Sequence, residues 1–213
     1  MEKSIESIWK KGFLETDALI APKLNDLYNQ KSKNTVDKLM RMGKKNLILI
    51  MVGASIILLI SLASGVGYAG TIIFLLLSAV VYYGIKQNKK VKDINKALSS
   101  YQYLRTVDSW LKETISGYTK MCRFFYPAFL LTFTFGLWFS NYNEEMLKEI
   151  NERSPDLNVI FGIPVIFVVA LFLMAGLSSI FAGTIYKFDL KIVYGRVFNK
   201  IDELIADMEE LRT

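Results

Sequence analysis

The stretch Asn46–Ile85, NLILIMVGASIILLISLASGVGYAGTIIFLLLSAVVYYGI, decides the fold, because its forty residues include no charged side chain. A membrane-spanning helix needs about 20 consecutive apolar residues. The stretch is therefore long enough for two crossings, which we predict at about 47–64 and 68–85. The glycines of Ser64–Gly70 predict the turn between them.

Two more uncharged runs follow, and they predict a third membrane helix over 124–143 and a fourth over 158–186. Pro127 and Pro164 would lie inside these helices, as fixed kinks near the helix start or as hinges. The predicted fold class is an all-α membrane protein with four transmembrane helices in two hairpins. The remaining segments are 1–45, 86–123 and 187–213, with the short acidic loop 144–157.

The distribution of lysine and arginine predicts the orientation. Segments 1–45, 86–123 and 187–213 hold 10, 9 and 5 basic residues, while loop 144–156 holds 2 and the turn 64–70 none. Cytoplasmic loops carry the excess of basic residues. We therefore expect a multi-pass protein of the bacterial inner membrane, with both termini in the cytoplasm and the acidic loop exported.

Helical periodicity marks all three cytoplasmic segments. In the C-terminal segment, intervals of three or four residues separate Leu190, Val193, Val197, Ile201, Leu204, Met208 and Leu211. Such a stripe must be covered by a partner helix. We expect cytoplasmic helical extensions that form a bundle or a coiled coil, within one chain or between subunits. Segment 86–123 must also reverse direction, at Ser99–Ser100 or near Gly117.

The first 45 residues are also expected to be helical. An amphipathic helix over Ser4–Leu14 would place Ile5, Ile8, Trp9 and Leu14 on one side. A break near Thr16 would separate it from a longer helix that runs into the membrane.

The chain lacks the residues that several kinds of catalytic and metal-binding site require. It contains no histidine and one cysteine, Cys122, so it cannot build a histidine-based triad, a thiolate zinc site or an intrachain disulfide. No phosphate-binding Gly-rich motif joins a strand to a helix. The uncharged runs also lack the intramembrane charges typical of pumps and proton-coupled transporters. We expect no enzyme activity, no metal and no cofactor.

Two groups of residues are candidate sites of another kind. Lysines beside the predicted membrane boundary would contact anionic lipid headgroups, or would serve as topology determinants: Lys44, Lys45, Lys86, Lys89, Lys90 and Lys92. Ala175, Ser179 and Gly183 recur every four residues and would let two helices approach closely, inside the chain or between subunits. Cys122 is expected to be a buried thiol, with acylation as the alternative.

The stretch Ala21–Ser32, APKLNDLYNQKS, followed by Val36-Asp37-Lys38 and the hairpin, resembles a group of uncharacterised bacterial membrane proteins encoded near extracytoplasmic-function sigma factors. The resemblance covers the first third to half of the chain. It implies a membrane-bound regulator whose cytoplasmic N-terminus sequesters a transcription factor. The chain departs from zinc-type anti-sigma factors in lacking their His/Cys signature.

These observations favour a non-enzymatic membrane protein whose cytoplasmic helices bind a protein partner, in regulation or scaffolding, with segment 1–45 as the docking surface. The alternative is a homo-oligomeric pore, which would use the small-residue stripe and the uncovered C-terminal stripe. We expect anionic lipids as further partners and no nucleic acid, because the helical stripe accounts for most aromatics near the basic patch.

Overall fold

Four long helices make up the described part of the chain. In the computed structural model they are α1 (Ile5–Ala63), α2 (Gly67–Lys92), α3 (Ser100–Trp138) and α4 (Val165–Glu210). A small antiparallel pair of strands, β1 (Val159–Ile160) and β2 (Ile163–Pro164), precedes α4. The structure describes residues 5–95, 98–140, 149, 158–160 and 163–210, with side chains from residue 27 onward.

Helix α1 is a single element of 59 residues, about 88 Å long at 1.5 Å per residue. The break expected near Thr16 is not present. The two helices predicted for segment 1–45 and the first predicted membrane helix are therefore one continuous rod. Continuity suits a chain that enters a bilayer, because a helix satisfies its own backbone hydrogen bonds in water and in lipid.

The turn between α1 and α2 depends on one glycine. Gly65 has a φ of 75°, a left-handed conformation that costs a residue with a Cβ more than glycine. The Val66 amide donates to the Ser61 carbonyl at 3.0 Å, and the Gly65 amide to the Leu62 carbonyl at 3.3 Å. These are the two bonds of a Schellman motif, which ends a helix tightly.

The chain reverses again between Lys92 and Ser100, at the first of the two predicted places. Ser99 caps α3, and its hydroxyl accepts a hydrogen bond from the Gln102 amide at 3.4 Å. Gly117, the other candidate, lies inside α3.

The start of the fourth predicted membrane helix is corrected by the structure. Residues 158–160, 163 and 164 are not helical: Val159 pairs with Pro164 and Ile160 with Ile163 in the β-hairpin. The Val165 amide donates to the Asn158 carbonyl at 2.9 Å, which closes the hairpin where α4 begins. Pro164 is therefore a buried strand residue at the helix entrance and not a kink inside α4, whereas Pro127 does lie inside α3.

Three of the described helices are long and apolar enough to cross a membrane: Leu27–Ala63, Gly67–Lys92 and Val165–Glu210. They expose large apolar side chains, such as Leu49 (68% exposed) and Ile180 (74%). A soluble protein of this size would not leave such a continuous apolar surface in water. We call these exposed apolar side chains the apolar belt, and they make the chain a membrane protein.

Helix α3 is less apolar, and its uncharged part, Phe124–Trp138, measures about 22 Å. It nevertheless reaches the end of the molecule where α1 and α2 meet. The Tyr68 hydroxyl lies 3.4 Å from the Phe135 carbonyl, and a Cβ on Gly136 would lie 2.5 Å from the Ala69 Cβ. The remainder of the predicted third span, from 141 to 143, lies outside the described residues.

At the opposite end, all four helices bury a common apolar core, which we call the basal core. Its members are Val36, Leu39, Val91, Tyr103, Leu104, Val107, Tyr194, Val197, Ile201, Leu204, Ile205 and Met208. Four residues of the predicted C-terminal stripe belong to it, whereas Val193 is exposed and Leu211 lies outside the described residues. The central part of the stripe, from Val197 to Met208, is thus covered by helices of the same chain.

A polar cluster lies at the edge of the basal core, where α3 begins and α4 ends. The Arg105 guanidinium of α3 pairs with the Glu209 carboxylate of α4, and the Tyr101 hydroxyl donates to the same carboxylate at 3.0 Å. All three side chains contact solvent, so the cluster adds little to the free energy of unfolding and mainly fixes where α4 meets the start of α3.

Leu204→Ala should lower the free energy of unfolding by about 2–5 kcal/mol, because Leu204 is 1% exposed and its removal leaves a cavity in the basal core. Denaturant unfolding of the protein in detergent micelles measures the change. Leu59→Ala is the matched control: Leu59 is 66% exposed in the apolar belt, and the apolar medium around it replaces the lost contacts. Equal losses from both variants would contradict this assignment of core and belt.

Gly136→Ala should destabilise the protein by about 1–3 kcal/mol, since the new methyl group would meet the Ala69 Cβ, which has no rotamer to move away. Gly176→Ala in α4 meets nothing within 4 Å and should be neutral or stabilising by up to about 1 kcal/mol. Thermal unfolding of both variants in the same detergent compares them. A tolerated alanine at 136 would show that α2 and α3 do not approach this closely.

Candidate functional site

A cavity of about 180 Å³ lies between the four helices, where the apolar belt meets the basal core. Each helix places a polar residue in its wall, and those of α1, α2 and α4 lie within three residues of an end of an uncharged run. These residues are Asn46 of α1, Gln87 of α2, Thr114 of α3 and Asp189 of α4. We call this cavity the polar junction.

A hydrogen bond helps to hold the walls of the polar junction in register. The Thr114 hydroxyl donates to the Gln87 side-chain oxygen at 3.4 Å, and both residues are buried. The Asn46 side chain of α1 and the Tyr194 side chain of α4 lie beside each other in the cavity wall. A polar group buried without a partner costs about 1–3 kcal/mol, so the Thr114–Gln87 pair favours one rotation of α2 and α3.

An aromatic cluster closes the cavity toward the apolar belt. The Tyr83 and Tyr118 rings meet edge to face at 4.8 Å, and the Tyr118 and Tyr186 centroids are 5.6 Å apart. Gly117 makes room for this cluster, because a Cβ there would lie 1.8 Å from the Tyr83 hydroxyl. On the other side, the Trp110 indole N–H lies in the wall, buried without a hydrogen-bond partner among the described residues.

Burial keeps the Tyr194 hydroxyl and the Cys122 thiol beside the junction protonated. Burial raises the pKa of the Tyr194 hydroxyl, an effect that Asn46 partly offsets and Asp189 reinforces. Burial also raises the pKa of the Cys122 thiol, against a hydrogen bond to Tyr126. A protonated, buried thiol is a poor nucleophile and a poor acylation target. The junction therefore offers hydroxyl and amide groups that can bind a small polar molecule.

Metal chemistry has no visible basis in the described ranges. No group of three or more His, Cys, Asp or Glu residues there could hold a metal ion. Asp189 lies beside tyrosines and a thiol that burial keeps protonated.

The six lysines predicted to contact lipid lie in different surroundings. Lys44 of α1 and Lys89 and Lys92 of α2 line a groove of about 710 Å³ between these helices, whereas Lys45 and Lys86 are exposed outside its lining. Lys90 instead pairs with Glu113 of α3 at 3.0 Å. Arg41, which the sequence did not single out, completes the basic lining of the groove.

The three small residues of α4 lie in different surroundings. Ala175 is buried, Ser179 is half-buried, and a Cβ on Gly183 would lie 3.0 Å from the Thr119 methyl group of α3. Gly183 thus faces a helix of the same chain. Ala182, which is fully buried, was not part of the predicted stripe.

Comparison of the chain with protein-family models, curated proteins and solved structures finds no match.

The protein should lose stability above about pH 10, where unfolded tyrosines ionise. Burial, reinforced by Asp37, raises the pKa of Tyr103, and burial raises that of Tyr194. Each contribution to stability is full below the unfolded pKa and is lost as the pH rises through the folded pKa.

Denaturant unfolding across this alkaline range measures the slope. The double variant Tyr103→Phe/Tyr194→Phe should flatten it, and Tyr82→Phe, at an exposed ring, should leave it unchanged. An unchanged slope in the double variant would refute the role given to these two hydroxyls.

Proposed function

We propose that this chain is a non-enzymatic inner-membrane protein with four membrane helices, and that its cytoplasmic bundle presents a docking helix to a protein partner. The expected role is regulatory or scaffolding. Basic residues concentrate in segments 1–45, 86–123 and 187–213, which supports a cytoplasmic position for the basal core and for both termini.

The position of α3 supports the fourth span. Helix α2 ends and α3 begins beside the basal core, whereas Gly136 near the end of α3 lies against Ala69 beside the α1–α2 turn. Trp138 also approaches Phe167 at the start of α4, with ring centroids 6.2 Å apart. Because α3 extends from the basal core to the α1–α2 turn, as the three membrane helices do, we infer that it crosses the membrane beside them. Many of its side chains are half-buried against neighbours, so its lower hydropathy is compatible with a span.

The docking role is supported by one observation: α1 continues as helix for 23 residues before Tyr28, which packs against the basal core. The part of α1 before Tyr28 begins at Ile5. Residues 5–26 add about 33 Å of helix. A helical arm of this length, carrying the amphipathic sequence Ser4–Leu14, is suited to helix-in-groove recognition.

The resemblance to membrane proteins encoded near sigma factors is consistent with this role, because it implies capture of a transcription factor by the N-terminus. Part of the similar stretch has a structural explanation of its own. Ser32 is fully buried and donates to the Tyr28 carbonyl at 2.6 Å, and Val36 belongs to the basal core. Docking is therefore assigned to the residues before Tyr28.

The oligomeric pore, the alternative hypothesis, drew its support from two uncovered stripes. In the structure, Val197, Ile201, Leu204 and Met208 are buried by helices of the same chain, and Gly183 faces Thr119. These contacts cover Gly183 and the central part of the C-terminal stripe within one chain, which favours the docking role over the pore.

The double variant Ile8→Ser/Trp9→Ser should abolish partner capture, because it removes two apolar side chains from one side of the N-terminal helical arm, residues 5–26. Tagged full-length protein is cross-linked in native membranes of the source cells, purified in detergent and examined for a stoichiometric cytoplasmic partner. Glu6→Ser/Lys10→Ser, on the same arm but outside the apolar side, should keep the partner.

Deletion of residues 2–21 should also lose the partner while the basal core still unfolds at the wild-type temperature. A partner retained after this deletion, or none captured by the wild-type protein, would refute the docking role.

A further inference from the structure

The groove between α1 and α2 has two chemically different halves. Its inner half has apolar walls from both helices, including Ile48, Met51 and Val81. Its outer half carries four cations: Arg41 and Lys44 from α1, and Lys89 and Lys92 from α2. The volume of about 710 Å³ lies within the range typical of small-molecule sites.

The charge of the groove favours an anion. Four cations and one carboxylate, Asp37, line it, which leaves a net charge of +3. The lysine and arginine chains come from two helices and converge on one space, unlike Lys90, whose ammonium group is engaged by Glu113 at 3.0 Å. The last turn of α2 carries three lysines, which also complement the negative end of its helix dipole.

The position of the groove favours an amphiphile over a free anion. Its apolar half lies within the uncharged run and is continuous with the apolar belt, where Ile48 and Ile85 are about half exposed. Its cations follow directly at the membrane boundary. A molecule with a phosphate at one end and hydrocarbon at the other matches both halves, and the bilayer around the protein supplies such molecules.

We propose that this groove is a binding site for one anionic phospholipid. The phosphodiester lies among Arg41, Lys44, Lys89 and Lys92, with Arg41 offering a planar fork of donors to its oxygens. The acyl chains run along Ile48, Met51 and Val81 toward the membrane interior. The proposal needs the membrane position of α1 and α2 but not the docking role of the N-terminal arm.

The bound lipid would connect two parts of the fold. Met40 lines the groove and also packs against the basal core, while Met51 and Val81 belong to the membrane hairpin. A lipid that contacts α1 and α2 here holds them together where the chain leaves the bilayer. The lipid composition of the membrane would therefore affect the stability of the α1–α2 pair.

The test uses full-length protein in nanodiscs of phosphatidylcholine with a graded fraction of phosphatidylglycerol. Native mass spectrometry after release into detergent counts the retained phosphatidylglycerol. The wild type should retain one molecule. Arg41→Gln/Lys44→Gln/Lys89→Gln should weaken its binding on the order of 100-fold, at about fivefold per cation.

The charge-matched control is Lys45→Gln/Lys86→Gln/Lys120→Gln, which removes three exposed lysines that do not line the groove. It should bind phosphatidylglycerol as the wild type does. A second variant, Ile48→Trp, keeps every charge and fills the apolar half, so it should weaken binding about tenfold. Thermal unfolding of each variant in phosphatidylcholine alone shows that the fold is intact.

Three outcomes would overturn the proposal. Equal losses in the groove variant and its control would mean that the lysines act as a diffuse patch. Unchanged binding in the groove variant would place the lipid elsewhere. Displacement of phosphatidylglycerol by inorganic phosphate, together with full binding in Ile48→Trp, would mean that the groove recognises phosphate without the acyl chains.

Discussion

The backbone of this protein must satisfy its hydrogen bonds in an apolar and in an aqueous medium along the same helices. A helix does so in both, because each amide finds its acceptor within the same segment. The apolar side chains must therefore be exposed along one part of each helix and buried along another. In the apolar belt, Leu49 and Ile180 face outward, whereas Leu104 and Leu204 in the basal core are almost completely covered. The change from exposed to buried apolar side chains occurs at the level of the polar junction, where polar side chains line the space between the helices.

This constraint explains why polar groups gather at one level. Asn46, Gln87, Thr114 and Asp189 come from four helices, yet all line one cavity. A helix-to-helix contact made only of apolar or small side chains can slide or rotate at little cost. The Thr114–Gln87 hydrogen bond has a direction and a length, so it helps to select one arrangement of α2 and α3.

Sequence patterns predicted those features that depend on one helix at a time. The lysines flanking Asn46–Ile85 located the hairpin, and the intervals among Val197, Ile201, Leu204 and Met208 located a buried face. The predicted start of the fourth membrane helix was wrong, because the uncharged run around Pro164 carries no signal that separates a strand from a helix. Arg41 and the polar junction were missed for another reason. Their partners lie on other helices, and the relative rotation of helices is not encoded in the spacing along any one of them.

The continuity of α1 has a mechanical consequence. One rod contains the N-terminal arm, the Val36–Leu39 face of the basal core and the membrane segment up to Ala63. No loop within it can absorb a bend or a twist, and the turn at its far end is held by Gly65 and two backbone hydrogen bonds. A torque applied at Ile5 would therefore be transmitted along about 88 Å of stiff helix to the opposite surface of the bilayer. Helix α1 would therefore move as one rigid element, and its packing in the basal core would keep it aligned with the other three helices.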